Sequence, residues 1–339
     1  HSGTSGSLFD FKGISGNTAS NHGGGIYATS ESKITLDSNK YNQVINVNEN
    51  VADSDHNGSG TWGGIHLSGN HTSASLLGVL VNDNIAVHGG GFAVTQNAHL
   101  NMQKLGFKQC WSTKKCNVIT QNKTHDHGGL GGAFYLMNGN AGVSYALIKE
   151  NGANSGAVLY ADLSSFVVFR DSYIYNNGNN GQGGGNDNYT FRLNNSYFIM
   201  NQVTVANNKT VNASIYLNGG DTYRISNSII HEPIVGTGAI ITGITGVEDC
   251  LLLDNDTGFN HLTNSVIDDP YFLDEENHDY HLSADSPAID LCKDNHLNRR
   301  YDNDGDQILD DPNVQDRLGF RDAGADESMM GDVIFLDSF

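Results

Sequence analysis

One short unit recurs along the chain and limits what the chain can fold into. An apolar strand leads into a turn that contains asparagine, and two glycines then lead into a second apolar strand. The copies are ISGNTASNHGGGIYA from Ile14, LVNDNIAVHGGGFAV from Leu80, LIKENGANSGAVLYA from Leu147, WGGIHL from Trp62 and GGLGGAFYL from Gly128. One such unit cannot bury its apolar face alone, so the repetition predicts a solenoid of stacked coils.

The glycine pairs set the expected length of one coil. The glycines taken as equivalent are Gly24, Gly63, Gly90, Gly132 and Gly156. The steps from Gly63 to Gly90 and from Gly132 to Gly156 are short and match a single coil, whereas the other two steps are much longer. The long steps hold either one coil with an inserted loop or two small coils. Residues 106–127, with two cysteines, are predicted to be an inserted, disulfide-stapled loop.

The pattern within each unit indicates strands. Apolar and polar residues alternate with a period of two, as in a β-strand, and no stretch keeps a helical period. The chain has 41 glycines and only 4 prolines. Glycine and asparagine are unfavourable inside helices and favourable in tight turns with positive φ. The sequence therefore predicts an all-β fold consisting of a single right-handed parallel β-helix.

Three segments are predicted along the chain. Residues 1–267 form the coils, residues 268–327 form a cap over the exposed strand edges of the last coil, and residues 328–339 form a strand-like tail. No comparable cap precedes the first coil, so the tail is expected to pair with the first coil of another molecule and build filaments head to tail. The tail residues assigned to this contact are Val333, Ile334, Phe335, Leu336 and Phe339.

A second repeat predicts ladders of identical side chains. TFRLNNSYFI from Thr190 matches TYRISNSII from Thr222, and RDSYIYNN from Arg170 is a looser copy. Asparagine side chains stacked in this way bond to one another from coil to coil. The expected stacked pairs are Asn195 with Asn227, Ser196 with Ser228 and Arg192 with Arg224.

The four cysteines are typical of a protein that folds in an oxidising compartment. Four cysteines allow three pairings. The short spacing favours Cys110–Cys116, which leaves Cys250–Cys292 to join the coils to the cap. A metal site is the alternative, but the sequence has no CxxC pair.

The GG steps of the repeat resemble those of chlamydial polymorphic membrane proteins, which are β-helical surface adhesins with GG-[AILVY] and FxxN signatures. The GG step is clear at five places, whereas FxxN is replaced by spellings such as Ile14-x-x-Asn17. The resemblance covers roughly residues 8–215. It implies a repeat style and a surface role, and it does not identify a shared partner.

The C-terminal segment is similar to the closing module of many secreted bacterial β-helix proteins. The DPxF, YHL, SPAID, DxDG and D-x-GAxE elements of that module match at Asp269, Tyr280, Ser286, Asp302 and Asp322. The final GDVIFLDSF resembles the IFxDGFE tail of secreted gammaproteobacterial proteins, with Ser338 in place of glycine. The resemblance implies bacterial origin and export, with anchoring at the cell surface.

The formal net charge of −20 limits the partners of the chain. Such a surface repels nucleic acid and anionic lipid, so neither is expected to bind. No apolar run is long enough for a transmembrane helix. The start at His1 is expected of a mature, exported product, secreted or held at the cell surface. In a bacterial protein, the glycosylation motifs at Asn122 and Asn208 are incidental.

Two groups of residues are candidate metal ligands. Alternating carboxylates around a glycine in DNDGDQILD are typical of calcium loops, although the full EF-hand pattern is not met. The carboxylates are Asp302, Asp304, Asp306 and Asp310, and the calcium would be structural. A polar turn in the cap is the alternative. His22, His88 and His127 each precede a double glycine. They would stack in one column, as turn residues rather than as a transition-metal site.

Four basic residues are the candidate catalytic residues of an enzyme. They are Lys149, Arg170, Arg192 and Arg224, expected to form one basic stripe on an acidic body. β-Helix lyases that act on uronic acids use a basic residue to abstract a proton and a cation to stabilise the resulting charge. Lys149 would be the base and Arg170 the neutralising cation. The alternative is that these residues pair with acids such as Asp171 and Asp221 in solvated ladders.

The sequence leaves three functions open. The preferred one is an exported structural or adhesive β-helix at the cell surface, with copies of itself or surface glycans as partners. The second is a polysaccharide lyase or a glycoside hydrolase, although the NTD, DD, GHG and RIK motifs of β-helix pectin hydrolases are not present in order. The third is a non-catalytic carbohydrate-binding solenoid that uses aromatic residues such as Tyr173, Tyr197 and Tyr216.

Overall fold

The chain folds as a parallel β-helix, as the sequence predicts. The computed structural model describes residues 13–38, 44–55, 58, 60–103, 116–125, 128–178, 187–219, 222–232, 239–242, 246–293 and 320–325, which are called the described residues. Within them, successive coils pair with one another as parallel strands. Antiparallel pairing among the described residues is confined to the hairpin of β28 and β29 and to the short pair β30 and β31, both in the C-terminal segment.

The strands of the first coils are short. In chain order they are β1 (Gly13–Ser15), β2 (Thr18–Ala19), β3 (Ile26–Ala28), β4 (Lys33–Asp37), β5 (Ile45–Asn48), β6 (Val51–Ala52), β7 (Ile65–Ser68), β8 (Ser73–Leu77), β9 (Val79–Asn82), β10 (Ile85–Ala86), β11 (Phe92–Thr95), β12 (His99–Gln103), β13 (Asn117–Thr120), β14 (Lys123–Thr124), β15 (Phe134–Met137), β16 (Asn140–Ser144), β17 (Ala146–Lys149) and β18 (Leu159–Asp162).

The remaining elements include four long strands that run through a corner between the second and third faces. In chain order the remaining elements are β19 (Phe166–Tyr175), β20 (Asp187–Asn194), β21 (Tyr197–Ala206), β22 (Thr210–Asn218), β23 (Tyr223–His231), β24 (Ala239–Thr242), β25 (Gly246–Leu253), β26 (Leu262–Thr263), β27 (Val266–Ile267), β28 (Phe272–Asp274), the 3₁₀ turn η1 (Glu275–Asn277), β29 (Asp279–Leu282), β30 (Cys292–Lys293) and β31 (Phe320–Arg321), of which β19, β21, β23 and β25 run through the corner.

Each coil contributes to three faces. The first face is the eight-stranded sheet β3-β7-β11-β15-β18-β20-β22-β24. The second face begins with β4, β8, β12 and β16. The third face begins with β1, β5, β9, β13 and β17. The later strands β19, β21, β23 and β25 run through both faces and extend them. A narrow sheet, β2-β6-β10-β14, closes the early coils between the third face and the first.

The register of the first face defines the coils. Its equivalent inward residues are Ile26, Ile65, Phe92, Phe134, Leu159, Phe191, Ile215 and Ala239. Coil length therefore varies widely, from the long coil between Phe92 and Phe134 to the short coil between Phe191 and Ile215. Gly24, Gly63, Gly90 and Gly132 align as predicted, but Gly156 does not belong to their column. The N–H of Ala133 bonds to the carbonyl of Ala157, and this register places Gly132 opposite Ala157.

The predicted stacking of the second repeat is wrong. Arg192 in β20 pairs with Tyr160 and Tyr216 on the first face, whereas Arg224 in β23 pairs with Ile199 and Val247 on the second. The two segments look alike because each is a strand followed by an Asn-Ser corner. Their corner asparagines, Asn195 and Asn227, both have positive φ but occupy different corners of the coil, and so do Ser196 and Ser228.

An asparagine ladder does run along the solenoid, but through other residues. Its members are Asn17, Asn50, Asn84, Asn122, Asn151, Asn177 and Asn208. Each Nδ2 donates to the Oδ1 of the next member at 2.8–3.0 Å. The same Oδ1 also accepts the backbone N–H of the preceding member, at 2.9–3.2 Å.

The ladder fills the corner between the third face and the narrow sheet. All of its members except Asn17 are buried. The buried amides also donate to backbone carbonyls of the preceding coil, for example Asn151 to Ile119 at 2.9 Å. The ladder therefore satisfies backbone groups that the corner would otherwise leave unpaired. The amides of Asn122 and Asn208 are enclosed in it, so their glycosylation motifs are not accessible in the folded chain.

The C-terminal segment packs along the side of the solenoid. β28 and β29 form a hairpin around η1, and Tyr280 of this hairpin packs with Tyr175 on the third face. The N–H of Ala325 donates to Oγ1 of Thr204 in β21 at 3.0 Å. These contacts lie on coils that precede the last one. That the segment also caps the last coil remains a prediction.

The predicted Cys250–Cys292 disulfide is present and joins β25 to β30, with the Cα atoms 5.3 Å apart. Cys116 is also disulfide-bonded, and its predicted partner Cys110 lies outside the described residues. The predicted insertion at 106–127 is too long at its C-terminal end, because β13 pairs with β9 and β17 and β14 pairs with β10. Residues 117–125 therefore belong to a regular coil.

Replacing Asn151 by alanine should destabilise the whole solenoid. The change leaves the buried N–H of Asn122 and the carbonyl of Ile119 without these partners. We expect a loss of about 3 kcal/mol in the free energy of unfolding, because each orphaned buried group costs on the order of 1–3 kcal/mol. Denaturant unfolding followed by circular dichroism measures this loss. The control is Asn101→Ala at an exposed position of β12, and equal effects of the two changes would contradict the role of the ladder.

Candidate functional site

The four candidate basic residues do not form one stripe. Arg192 lies on the first face, Arg170 and Arg224 lie on the second, and Lys149 lies at the end of β17 on the third. The ammonium group of Lys149 lies 5.7 Å from the centre of the Tyr175 ring.

The proposed pair of base and cation is separated by a corner of the coil. Lys149 pairs with Tyr175, whereas Arg170 pairs with Ser144 and lies on the other side of the corner at Asp171. Asp171 is buried. The two basic groups are therefore presented by different faces, and the arrangement expected of a lyase is not assembled from them.

The histidine column is present only in part. His22 and His88 share a position with Thr61 between them, and the next residue in the column is Leu130. His127 lies outside the described residues. Nδ1 of His22 lies 2.7 Å from Oγ1 of Thr61, and Nδ1 of His88 accepts the N–H of Leu130 at 3.2 Å. Burial lowers the pKa of His88. The two imidazoles act as corner residues, as the sequence favours.

Within the part of the chain that the structure describes, no three His, Cys, Asp or Glu side chains are grouped so that they could hold a metal ion. The predicted calcium ligands Asp302, Asp304, Asp306 and Asp310 lie outside the described residues. The tail residues Val333, Ile334, Phe335, Leu336 and Phe339 also lie outside them. The calcium site and the head-to-tail contact remain predictions.

A stripe of aromatic side chains follows the outer side of the first face. Outward positions that pair from strand to strand hold Tyr27, His66, Ala93, Tyr135, Tyr160, Arg192 and Tyr216. The aromatic stripe consists of the aromatic residues of this column with four neighbours: His22, Tyr27, Trp62, His66, His88, Tyr135, Tyr160, Tyr189 and Tyr216. Seven strands spaced by ~4.8 Å make the column about 30 Å long.

The rings of the stripe stack along the solenoid axis. Tyr27, which is 54% exposed, stacks on His66 with ring centres 4.7 Å apart. Tyr135 stacks between His88 and Tyr160 at 5.5 and 5.6 Å, with interplanar angles of 10°. The rings therefore contact one another rather than standing singly, with Tyr27 exposed and with His66 and Tyr160 buried.

Trp62 reaches the stripe from a strained backbone position. Its φ is 75°, and the equivalent residues of the neighbouring coils are glycines, Gly23 and Gly89, with φ of 67° and 64°. A bulky residue with left-handed backbone is a genuine outlier, and such outliers cluster at functional sites. The position brings the indole within 3.7 Å of the His66 ring centre and 4.7 Å of that of His22.

Burial shifts the pKa values of several rings of the stripe away from neutrality. Burial, with a contribution from His22, lowers the pKa of His66 to about 3. Burial also raises the pKa of Tyr135 to about 12, with smaller contributions from Tyr160 and Asp162. The imidazole of His66 is therefore neutral, and the hydroxyl of Tyr135 keeps its proton as a hydrogen-bond donor.

Of the three tyrosines predicted from sequence to bind glycans, one belongs to the aromatic stripe. That residue is Tyr216, whereas Tyr173 is 1% exposed beneath the C-terminal segment and Tyr197 lies on the second face. The overlooked signal is the residue after the inward apolar position of each GG step, which is aromatic at Tyr27, His66, Tyr135 and Tyr160.

A buried carboxyl lies at the C-terminal end of the asparagine ladder. Oε1 and Oε2 of Glu232 accept the side-chain and backbone N–H groups of Asn208 at 2.8 and 2.7 Å. Glu232 follows His231, which pairs with Ala206, so it lies opposite Asn207, one position before the ladder register. Its longer side chain spans the difference. Full burial raises the pKa of Glu232 to about 8 although hydrogen bonds from Asn208 oppose the shift. The carboxyl is therefore mostly protonated at neutral pH.

His231 joins the last coils to the C-terminal hairpin. Its Nδ1 lies 2.5 Å from Oδ1 of Asp254, and its Nε2 lies 3.0 Å from Oε1 of Glu275 in η1. Burial opposes the charged imidazole, but these carboxylates outweigh burial and raise the pKa of His231. The cluster is a proton-dependent junction between the solenoid and the hairpin.

Within the described residues, no helix is long and apolar enough to cross a membrane.

Comparison of the chain with protein-family models, with curated proteins and with solved structures finds no match.

The stability of the chain should fall as the pH rises from about 6.5 to about 8, whereas below 6.5 the lowered pKa values of His66 and His88 act against Glu232. Glu232 has an ordinary pKa of 4.5 and a folded pKa of about 8, so the folded state holds a proton in this range that the unfolded state has released. The raised pKa of His231 acts in the same direction, because its contribution is complete below 6.5 and is lost above. The measurement is the free energy of unfolding in urea across this pH range.

Glu232→Gln should make the free energy of unfolding depend less steeply on pH, because the side chain no longer titrates. The slope should fall by the equivalent of roughly one proton released on unfolding. The control is Glu276→Gln, an exposed residue of η1 next to Glu275. A Glu232→Gln profile as steep as that of the unaltered chain would show that this carboxyl does not hold the proton.

Proposed function

We propose that this chain is an exported β-helix with a structural or adhesive role at the cell surface, and that it adheres to glycan chains through the aromatic stripe. The aromatic stripe carries this proposal. Sugar rings have apolar C–H faces that pack against aromatic rings, and their hydroxyls bond to nearby polar groups. A band about 30 Å long can contact several consecutive sugar units.

Polar side chains border the stripe on one side. On each strand of the first face, the next outward residue lies two positions after the residue of the aromatic column. These residues include Thr95, Asp162, Asn194 and Asn218. Asp162 and Asn194 also contact the hydroxyl of Tyr160, at 3.3 and 3.4 Å. A glycan along the solenoid axis would therefore meet ring faces on one side and amide or carboxylate groups on the other.

The strain at Trp62 supports binding rather than a purely structural use of this face. Glycine occupies the equivalent corner in the coils on either side, so the fold itself does not require an indole there. Among large side chains, tryptophan offers the widest flat surface for stacking. The indole already contacts the His22 and His66 rings, and we propose that this group of rings also packs against the ligand.

A structural or adhesive role agrees with the rest of the molecule. The buried ladder and the Cys250–Cys292 disulfide suit a protein that must stay folded outside the cell. The lyase alternative has less support, because Lys149 and Arg170 lie on different faces. We therefore propose binding without cleavage.

Two single changes test the stripe. Trp62→Gly, which restores the residue found at Gly23 and Gly89, and Tyr216→Ala should each weaken glycan binding roughly tenfold, because a loss of about 1.4 kcal/mol of stacking is a factor of ten. The matched control is Tyr271→Ala, which removes a 48% exposed tyrosine near the C-terminal hairpin. Binding is measured by calorimetry with oligosaccharides selected on a glycan array.

The same glycans should show no product when reducing ends and ultraviolet absorbance are followed with calcium present. A rise in both signals would identify a lyase and overturn binding without cleavage. Reducing ends alone would identify a hydrolase. Glycan binding that Trp62→Gly and Tyr216→Ala leave unchanged would place the adhesive surface elsewhere.

A further inference from the structure

Arg192 is a basic residue set among the rings of the stripe. Its guanidinium carbon lies 5.6, 5.9 and 5.7 Å from the ring centres of Tyr160, Tyr189 and Tyr216. Tyr189 and Tyr216 in turn lie 4.8 Å apart, centre to centre. The three rings and the guanidinium form the tyrosine cage, in which the cation is held by ring faces.

Among the described residues, no carboxylate forms an ion pair with Arg192. The ion pairs found among the described residues, at a limit of 4.0 Å, all involve histidine, and Arg192 is in none of them. Arg170 and Arg224 are likewise outside these ion pairs, so what sets Arg192 apart is its place among the rings of the stripe.

The guanidinium keeps most of its hydrogen-bonding capacity. One of its five N–H groups donates to Oγ of Ser155, from Nη1 at 3.1 Å. Nε is buried and has no hydrogen-bond partner among the described residues. The bond to Ser155 directs the guanidinium toward the start of β18, away from Asp162 at the end of that strand.

We infer that the tyrosine cage is a subsite for an anionic substituent, a carboxylate or a sulfate ester, on the glycan that lies along the stripe. This inference rests on the proposed function. The fork of N–H groups on arginine matches the paired oxygens of these anions, and the tyrosine rings beside it would pack on the sugar that carries the anion.

The negative net charge does not prevent such binding. At physiological ionic strength, charges farther away than about 8 Å are largely screened, so groups in contact with the anion decide its affinity. At the cage, that contact group is Arg192. Sugar units along the remainder of the stripe would meet mainly uncharged rings, so the glycan would carry its anion at intervals or on one unit.

Three oligosaccharides of equal length and linkage test the inference: one neutral, one with a uronate and one sulfated. We expect the chain to bind at least one anionic form more tightly than the neutral form, by roughly tenfold. Arg192→Met should remove this preference and retain binding of the neutral form. Arg192→Lys keeps the charge without the fork, so it should retain only part of the preference.

Arg170→Met is the matched control, because it removes one positive charge from an exposed position on the second face. It should leave both affinities as they are in the unaltered chain. Thermal unfolding shows whether each variant is folded. The uronate and sulfate arms decide which anion the cage prefers.

Equal binding of all three oligosaccharides, or equal effects of Arg192→Met and Arg170→Met, would overturn the anionic subsite and leave the adhesive stripe in place. If the chain binds none of the three oligosaccharides and no glycan on the array, both the proposed function and the subsite are overturned.

Discussion

The coils are held in register by a buried row of amide-to-amide hydrogen bonds. From Asn17 to Asn208, every coil places one asparagine at the same corner, where it bonds both to the next amide and to the backbone. Coil length differs greatly along the chain while this row is unbroken. Extra residues are therefore accommodated between corners, and the corner itself stays constant because an unpaired buried amide is costly.

The aromatic stripe depends on that register. Side chains alternate between inside and outside along a strand, so a shift of one residue in any coil would bury an outward ring and expose a core residue. The strained Trp62 depends on it as well, since hydrogen bonds to the coils on both sides, from Gly24 and to His88, hold its backbone in place. The alignment of the aromatic stripe, which is built from separate strands, therefore depends on a ladder at another corner of the coil.

The sequence is sufficient to predict the fold, but not to predict which side chains stack above one another from coil to coil. The GG step and the period of two predict the parallel β-helix, and spacing predicts the Cys250–Cys292 disulfide. The second repeat misleads, because the same strand-corner-strand pattern at Asn195 and Asn227 occurs at two different corners. Arg192 and Arg224 are separated for the same reason. The stripe could not be assembled from sequence alone, because coils of unequal length conceal which outward residues are neighbours.

The asparagine ladder also gives the solenoid a direction. Within the row, every amide donates to the next amide on the C-terminal side and accepts at Oδ1 from the amide before it. These amide-to-amide bonds therefore align as peptide bonds do along a helix, although the buried amides also donate to carbonyls of the preceding coil. The positive end of this row meets the carboxyl of Glu232, which accepts its last two N–H groups. The two ends of the row are thus chemically unlike, because it begins at the exposed amide of Asn17 and ends at a buried carboxyl. Glu232 therefore closes the row inside the molecule, since β24 and β25 follow it in the chain.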